Sequence, residues 1–183
     1  AESYFNVKPD LTTYGKVAGG GMPTGLIAGN AKYMDYVDGG TWRFDDGSMP
    51  SLKRTMMAGT HTQNSLKVAA VRAICSEMKR RCTAGPGCTY DTCFTSAINR
   101  RTKHLVDEVN AFFREKHVPI VLEYFSSLFR FQFMDDPAGI VKELFFILLK
   151  MNGVESSISG NNFLTTEHTD EDVEAVIAAV RKS

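Results

Sequence analysis

Lys16 is the residue whose surroundings most invite chemistry. It sits in Tyr14-Gly15-Lys16-Val17-Ala18-Gly19-Gly20-Gly21-Met22-Pro23-Thr24-Gly25, between the end of an expected strand and a run of glycines. A lysine amine attacks carbonyl carbon once it is neutral, and burial or neighbouring cations favour the neutral form. Flanking glycines let a flat cofactor come close to the backbone. A lone lysine beside a turn is nevertheless usually solvated, and spacing alone does not overturn that. Trp42 and Phe44 could line a pocket, although aromatic side chains more often fill cores. Arg130 could bind a carboxylate, but as the polar member of an alternating strand it reads as solvated. His168, just before the last helix, reads as a maker of local hydrogen bonds, and His61 is not assigned a catalytic role.

Cys75, Cys82, Cys88 and Cys93 form no CxxC pair, and the four histidines do not cluster with them at zinc-finger spacing, so no metal site is expected. The Cys82–Cys93 stretch reads as a Gly/Pro-bearing surface loop with reduced thiols rather than a disulfide or metal staple.

The elements that must position Lys16 follow from period and punctuation. Lys8–Thr13 leads into a strand, and Gly25–Gly29 is a short apolar run expected as a buried strand. Lys32–Val37 reads as a short helix, and residues 41–58 as an irregular loop. After Thr62-Gln63-Asn64-Ser65 a helix is expected, with Leu66, Ala69, Ala70, Ala73, Ile74 and Met78 on one face and Lys79-Arg80-Arg81 at its negative end. A second long helix runs from about Ser96 to Lys116. Pro119–Tyr124 and Leu128–Phe133 read as strands, the latter alternating Phe129, Phe131 and Phe133 inward. A helix beginning after Asp136–Gly139 is expected to turn Val141, Leu144, Phe145, Leu148 and Leu149 inward and to end at Gly153. Val154–Ile158 and Phe163–Thr166 are further strand candidates. Thr169 then caps a final helix with Val173, Val176, Ile177 and Val180 inward.

The chain has 183 residues, 43% hydrophobic and 23% charged, with 21 basic against 21 acidic side chains. This is ordinary globular composition, suited to one domain or a domain and part of another. A neutral total argues against a dedicated nucleic-acid binder. No stretch reaches the ~20 apolar residues needed to span a bilayer. The start lacks Met, a basic region and an apolar core, so it reads as the middle of a longer chain without a signal peptide, and a cytoplasmic setting is expected.

Pro9-Asp10-Leu11, Gly15-Lys16 and Gly19-Gly20-Gly21-Met22-Pro23-Thr24-Gly25 together resemble the lysine signature of class III aminotransferases, fold-type I enzymes that use pyridoxal 5′-phosphate (PLP) and include glutamate-1-semialdehyde aminomutase. Ala58-Gly59-Thr60-His61 leading into an Ala-rich helix, and Phe163–Val173, resemble later segments of the same family. The resemblance implies an α/β fold. Residues 1–80 would be the end of a large PLP-binding domain, and 81–183 a small C-terminal α+β domain. It implies that Lys16 holds PLP through a Schiff base and shuttles a proton during turnover. Thr60, with Gly59 allowing close approach, would hold the PLP phosphate, typically across a dimer interface, at a helix start suited to anions.

The activity implied is transfer of an amino group from an amino-acid donor to a keto or aldehyde acceptor by a homodimer. Asp38–Trp42, Ala58–His61, Val118–Ile120, Ser127–Phe131 and Glu167–Asp172 lean toward the aminotransferase domains of hybrid polyketide/nonribosomal peptide synthetases. There the acceptor would be a β-ketoacyl thioester on an acyl carrier protein. Ser159-Gly160-Asn161-Asn162 departs from the Gly/Arg motif of those relatives. The acid, stacking aromatic and phosphate turn that the family places upstream of its lysine lie outside these 183 residues. The alternatives are an aminomutase that returns the amino group to the same skeleton, and a non-catalytic dimerisation or docking remnant.

Overall fold

The computed structural model describes residues 2–59, 62, 64–82, 89–158 and 161–183, with Ser3 by its backbone alone. Two units emerge, residues 1–93 and 94–183.

In the first unit a short helix α1 (Glu2–Phe5) precedes strand β1 (Leu11–Tyr14), a 3-10 turn (Lys16–Gly19) and strand β2 (Leu26–Gly29). The strands pair antiparallel, Leu11 opposite Gly29 and Tyr14 opposite Leu26, so they close a hairpin around the lysine turn. Helix α2 (Ala31–Asp38) is capped by Asn30, whose side chain accepts from the Lys32 N–H at 3.0 Å, and ends at Gly39 with φ 90°. Residues 41–58 contain no helix or strand, as expected. Helix α3 (Ser65–Arg81) starts at Asn64, which accepts from Leu66 N–H and Lys67 N–H, and ends in Lys79, Arg80 and Arg81.

Two expectations about this unit are corrected. β2 is not buried: Ile27 is exposed, because the two-stranded sheet has no described layer packed over both faces. On α3, Ala70, Val71 and Ile74 are half-buried, whereas Leu66, Ala69, Ala73 and Met78 are exposed. The contact side is narrower than the apolar face because, within this unit, the principal partner of α3 is the lysine turn. Only Gly19 and Gly39 are fully buried among the unit's described residues. Phe44 and Leu52 are 97% and 95% exposed.

The second unit holds the core. Helix α4 (Ser96–Glu115) buries Ile98, Thr102, Leu105, Val106, Val109 and Phe113, a stripe at helical spacing. β3 (Ile120–Phe125) and β4 (Leu128–Phe133) form a hairpin, and β5 (Asn162–Phe163) adds to the β4 edge, all antiparallel. The hairpin turn is two residues long. Ser126 takes φ 59° there, and its hydroxyl donates to the buried Asn99 Oδ1 at 2.8 Å.

The inward Phe129, Phe131 and Phe133 meet helix α5 (Ile140–Met151), with the Phe131 ring 5.0 Å from Phe145 and 5.8 Å from Phe146. This cluster sets the rotation of α5. Phe145, Phe146 and Leu149 are buried, while Val141 and Leu144, expected inside, face solvent. Gly153, at φ 89°, closes the helix in a Schellman motif: its N–H donates to Lys150 O and the Val154 N–H to Leu149 O, both at 3.0 Å.

That cap helps explain why Val154–Ile158 is not a strand. The Val154 donor belongs to the helix end, and the Ser157 N–H donates to Asn162 Oδ1 at 3.1 Å. Helix α6 (Asp170–Lys182) begins with the expected Thr169 cap, completed by Asp172 as a capping box, and buries Val173, Ile177, Ala179 and Val180. Arg101–Asp170, His104–Glu174 and Arg181–Glu108 tie it to α4 across 2.6, 2.7 and 2.9 Å, partly exposed pairs that each add little.

Candidate functional site

The lysine turn is built by three backbone bonds. Ala18 N–H donates to Gly15 O (3.2 Å), Gly20 N–H to Val17 O (3.0 Å), and Met22 N–H to Gly19 O (3.1 Å). Lys16 itself sits at φ 51°, in the left-handed region that residues with a Cβ seldom occupy. Strain of this kind persists only where surrounding structure enforces it, and it concentrates at functional positions.

Two of the glycines that follow have a packing role. A Cβ on Gly20, at φ 60°, would lie 2.9 Å from Ile74 Cγ1 and 3.1 Å from Ala70 O on α3. A Cβ on the buried Gly19 would lie 2.9 Å from Thr24 Cγ2. The glycine run therefore seats the turn on α3 and folds the following segment back over it.

Beyond the turn, Pro23, Thr24, Gly25 and Leu26 form one wall of a groove of about 770 Å³. Met57, Gly59 and Thr62, with Asn64, Lys67, Val68 and Val71 of the first turns of α3, complete it. Gly59 has φ 148°, and its carbonyl accepts from both the N–H (3.0 Å) and the hydroxyl (2.6 Å) of Thr62. The structure thus places Gly59 in the groove and Lys16 on the turn that leads to it, while Lys16 is not among the groove's lining residues. Thr60 and His61 lie outside the described residues, as does Cys88.

The Lys16 side chain is exposed and, among the described residues, makes no hydrogen bond or ion pair. The clearest electrostatic perturbation in this unit lies at the far end of α3. There Glu77 accepts from Arg80 and Arg81, and its carboxyl is lowered to about 2.

The remaining candidates resolve individually. The Trp42 indole N–H donates to Asp38 O at 2.9 Å, and its ring meets Phe44 edge-on at 4.6 Å. Neither fills a core, because residues 41–58 offer no packed face to receive them. Arg130 is paired with Glu123 across the β3–β4 hairpin at 3.0 Å, and Glu123 also accepts from Gln132. Its carboxyl is lowered by those donors, so the guanidinium is already engaged. The His168 Nδ1 accepts from Thr165 N–H at 3.0 Å, the local bond expected of it. Among the described residues no three His, Cys, Asp or Glu side chains gather as a metal-ligand set. No helix of the described residues is long and apolar enough to cross a membrane.

Sequence reasoning missed Lys67 on the groove wall and the seat formed by Gly20, Ala70 and Ile74. Ala70 and Ile74 carry the helical period, but nothing in the period says that a glycine docks against them.

The fold is mixed α/β and is similar to that of solved fold-type I transaminases over part of their length. The chain superposes over 99% of its length on 39% of a β-phenylalanine aminotransferase from Variovorax paradoxus, with a TM-score of 0.71 and 24% identity. In sequence it is 28% identical over 193 aligned positions to the glutamate-1-semialdehyde 2,1-aminomutase of Thermoplasma volcanium, covering all of this chain and 40% of that protein. It is 30% identical over 183 positions to the enzyme of that name from Limosilactobacillus reuteri, covering 97% of this chain and 38% of that one. The chain therefore spans about two fifths of the length of these relatives. No family model matches it.

Proposed function

We propose that this chain is the lysine-bearing C-terminal portion of a PLP-dependent aminotransferase. Residues 1–80 would complete the large cofactor domain and 81–183 form the small domain. The observation that carries the reading is Lys16, held at φ 51° on a glycine-seated turn in a chain that aligns over its whole length with a glutamate-1-semialdehyde 2,1-aminomutase and is similar in fold to a transaminase with PLP bound. The residues present fit the group. Lys16 offers a primary amine for an aldehyde, and the neighbouring groove offers Lys67, Gly59 and the start of α3 for a phosphate, with no carboxylate in its lining. When bound, PLP supplies an electron sink for the carbon that gives up or receives the amino group.

Lys16 would hold the cofactor covalently and then move a proton between the substrate Cα and the cofactor C4′ through its Nζ. Gly59 and Thr60 would approach the phosphate, serving the neighbouring subunit of a homodimer. The exposed apolar surface of the first unit supports coverage by further polypeptide of this kind.

For the substrates, an amino-acid donor and a keto or aldehyde acceptor follow from the class. Two finer readings remain. The names of the sequence relatives favour an aminomutase that returns the amino group to the same skeleton. The motif cues at Asp38–Trp42 and Ser127–Phe131 favour a β-ketoacyl thioester on an acyl carrier protein, in keeping with a structural relative named for a β-amino acid. Product analysis with and without a separate keto acceptor separates them: an aminomutase turns over without one.

The class itself is tested on the intact gene product. Borohydride reduction in the presence of PLP, followed by peptide mass mapping, is expected to place the cofactor mass on Lys16. Loss of the bound-cofactor absorbance in Lys16→Ala supports the assignment, and its persistence removes it.

A further inference from the structure

Lys16 is exposed and strained, so something other than its own packing must keep it in one position. The seat beneath it answers this. Gly20 lies at φ 60° directly against α3, where any side chain would meet Ile74 Cγ1 at 2.9 Å and Ala70 O at 3.1 Å. Gly19 is buried under Thr24, and the bonds from Ala18, Gly20 and Met22 make the turn a closed unit. Ala70 and Ile74 are half-buried, while Leu66 and Met78 on the same helix remain exposed.

The same helix also carries Asn64, Lys67, Val68 and Val71 into the groove. From Asn64 to Ala70 is six residues, about 9 Å along a helix axis at ~1.5 Å per residue. One rigid rod thus holds the groove's floor at its start and the lysine turn one to two turns later.

We propose that Gly20, Ala70 and Ile74 are positioning residues: they dock the lysine turn on α3 and thereby set Lys16 in register with the groove lined by Gly59 and Lys67. This rests on the PLP reading of Lys16. Gly20 acts by having no side chain, so the turn and the helix approach to backbone contact. Ile74 acts as the apolar stop against which the turn rests. A displaced turn would release the left-handed conformation of Lys16 and let the amine wander from its reaction geometry.

The test uses the intact gene product as parent and as Gly20→Ala, Ile74→Ala, the double variant and Met78→Ala. Met78 is an exposed residue of the same helix and controls for changes in α3 alone. Two quantities are read: the rate of borohydride-fixed PLP incorporation at Lys16, and the pH midpoint of the bound cofactor's absorbance. A third, the rate at which an amine-reactive reagent labels Lys16 in cofactor-free protein, needs no cofactor.

Gly20→Ala is expected to slow incorporation roughly ten- to a hundredfold, the scale of a misplacement near 1 Å, and to move the midpoint and the labelling rate. Ile74→Ala alone slows incorporation less. In the double variant it restores part of the Gly20→Ala loss, because it removes the side chain that the new methyl meets. Met78→Ala matches the parent. Parental rates and midpoint in both Gly20→Ala and Ile74→Ala overturn the proposal. If Gly20→Ala does not fold, Ile74→Ala decides alone by the same criterion. Failure of the underlying reading looks different: the parent then fixes no PLP at Lys16.

Discussion

Asn110 offers the sharpest test of how the second unit is held together. β3 is an edge strand, and its outward backbone groups at Leu122 would be orphaned without a partner. Asn110 on α4 supplies one with its side-chain amide, as a neighbouring strand would. Its Nδ2 donates to Leu122 O at 2.9 Å, and its Oδ1 accepts from Leu122 N–H at 2.8 Å. Asn110→Ala removes both bonds from a half-buried site beside the fully buried Leu122 side chain. At about 1 kcal/mol per bond the loss is about 2 kcal/mol, rising to about 4 kcal/mol if water does not reach the two stranded groups. For a unit of this size that lowers the melting midpoint by roughly 10–20 °C.

The Leu122 amide is the natural reporter, because its protection depends on Asn110. Native-state hydrogen exchange at that amide is expected to accelerate by the factor corresponding to the lost stability. Asn110→Asp is expected to fall between parent and Ala, since it keeps the acceptor for Leu122 N–H and loses the donor to Leu122 O. If Asn110→Ala unfolds within about 0.5 kcal/mol of the parent and leaves Leu122 exchange unchanged, the amide bridge does not secure this edge.

Two further predictions concern helix ends. Glu77 is held at about 2 against an ordinary 4.5 by hydrogen bonds from Arg80 and Arg81, so its contribution is complete above 4.5 and is lost as pH falls from 4.5 toward 2. The Glu77 carboxyl resonance should therefore titrate below the ordinary glutamate range, and Glu77→Gln should remove this part of the acid dependence of α3. A normal midpoint for Glu77 would refute the pairing. Thr169→Ala deletes the hydroxyl of the α6 capping box and should cost about 1 kcal/mol in denaturant unfolding, whereas Thr169→Ser, which keeps the oxygen, should be close to neutral.

Much of the second unit was legible because each signal there is local and self-consistent. Thr169 with Asp172, the alternating Phe129, Phe131 and Phe133, and Gly153 after an apolar helix all act within a few residues. The rotation of α5 was not legible, because Val141 and Leu144 are as apolar as Phe146. The choice was made by the aromatic sheet face, which the helix sequence does not contain.

In the first unit the lysine turn and the boundaries of α2 and α3 could be read from glycines and caps. Burial could not, because period reports which side chains are apolar and not whether a partner surface lies within the same chain. The docking of Gly20 on Ile74 joins residues 54 positions apart and left no local trace beyond the glycine itself.

The central claim is that Lys16 is the residue that takes PLP. The direct measurement is borohydride reduction of the intact gene product with PLP, followed by mass mapping of its peptides. The cofactor mass is predicted on the peptide containing Lys16, absent from it in Lys16→Ala, together with loss of the bound-cofactor absorbance. Cofactor mass on another lysine, or an absorbance band that survives in Lys16→Ala, would contradict the account.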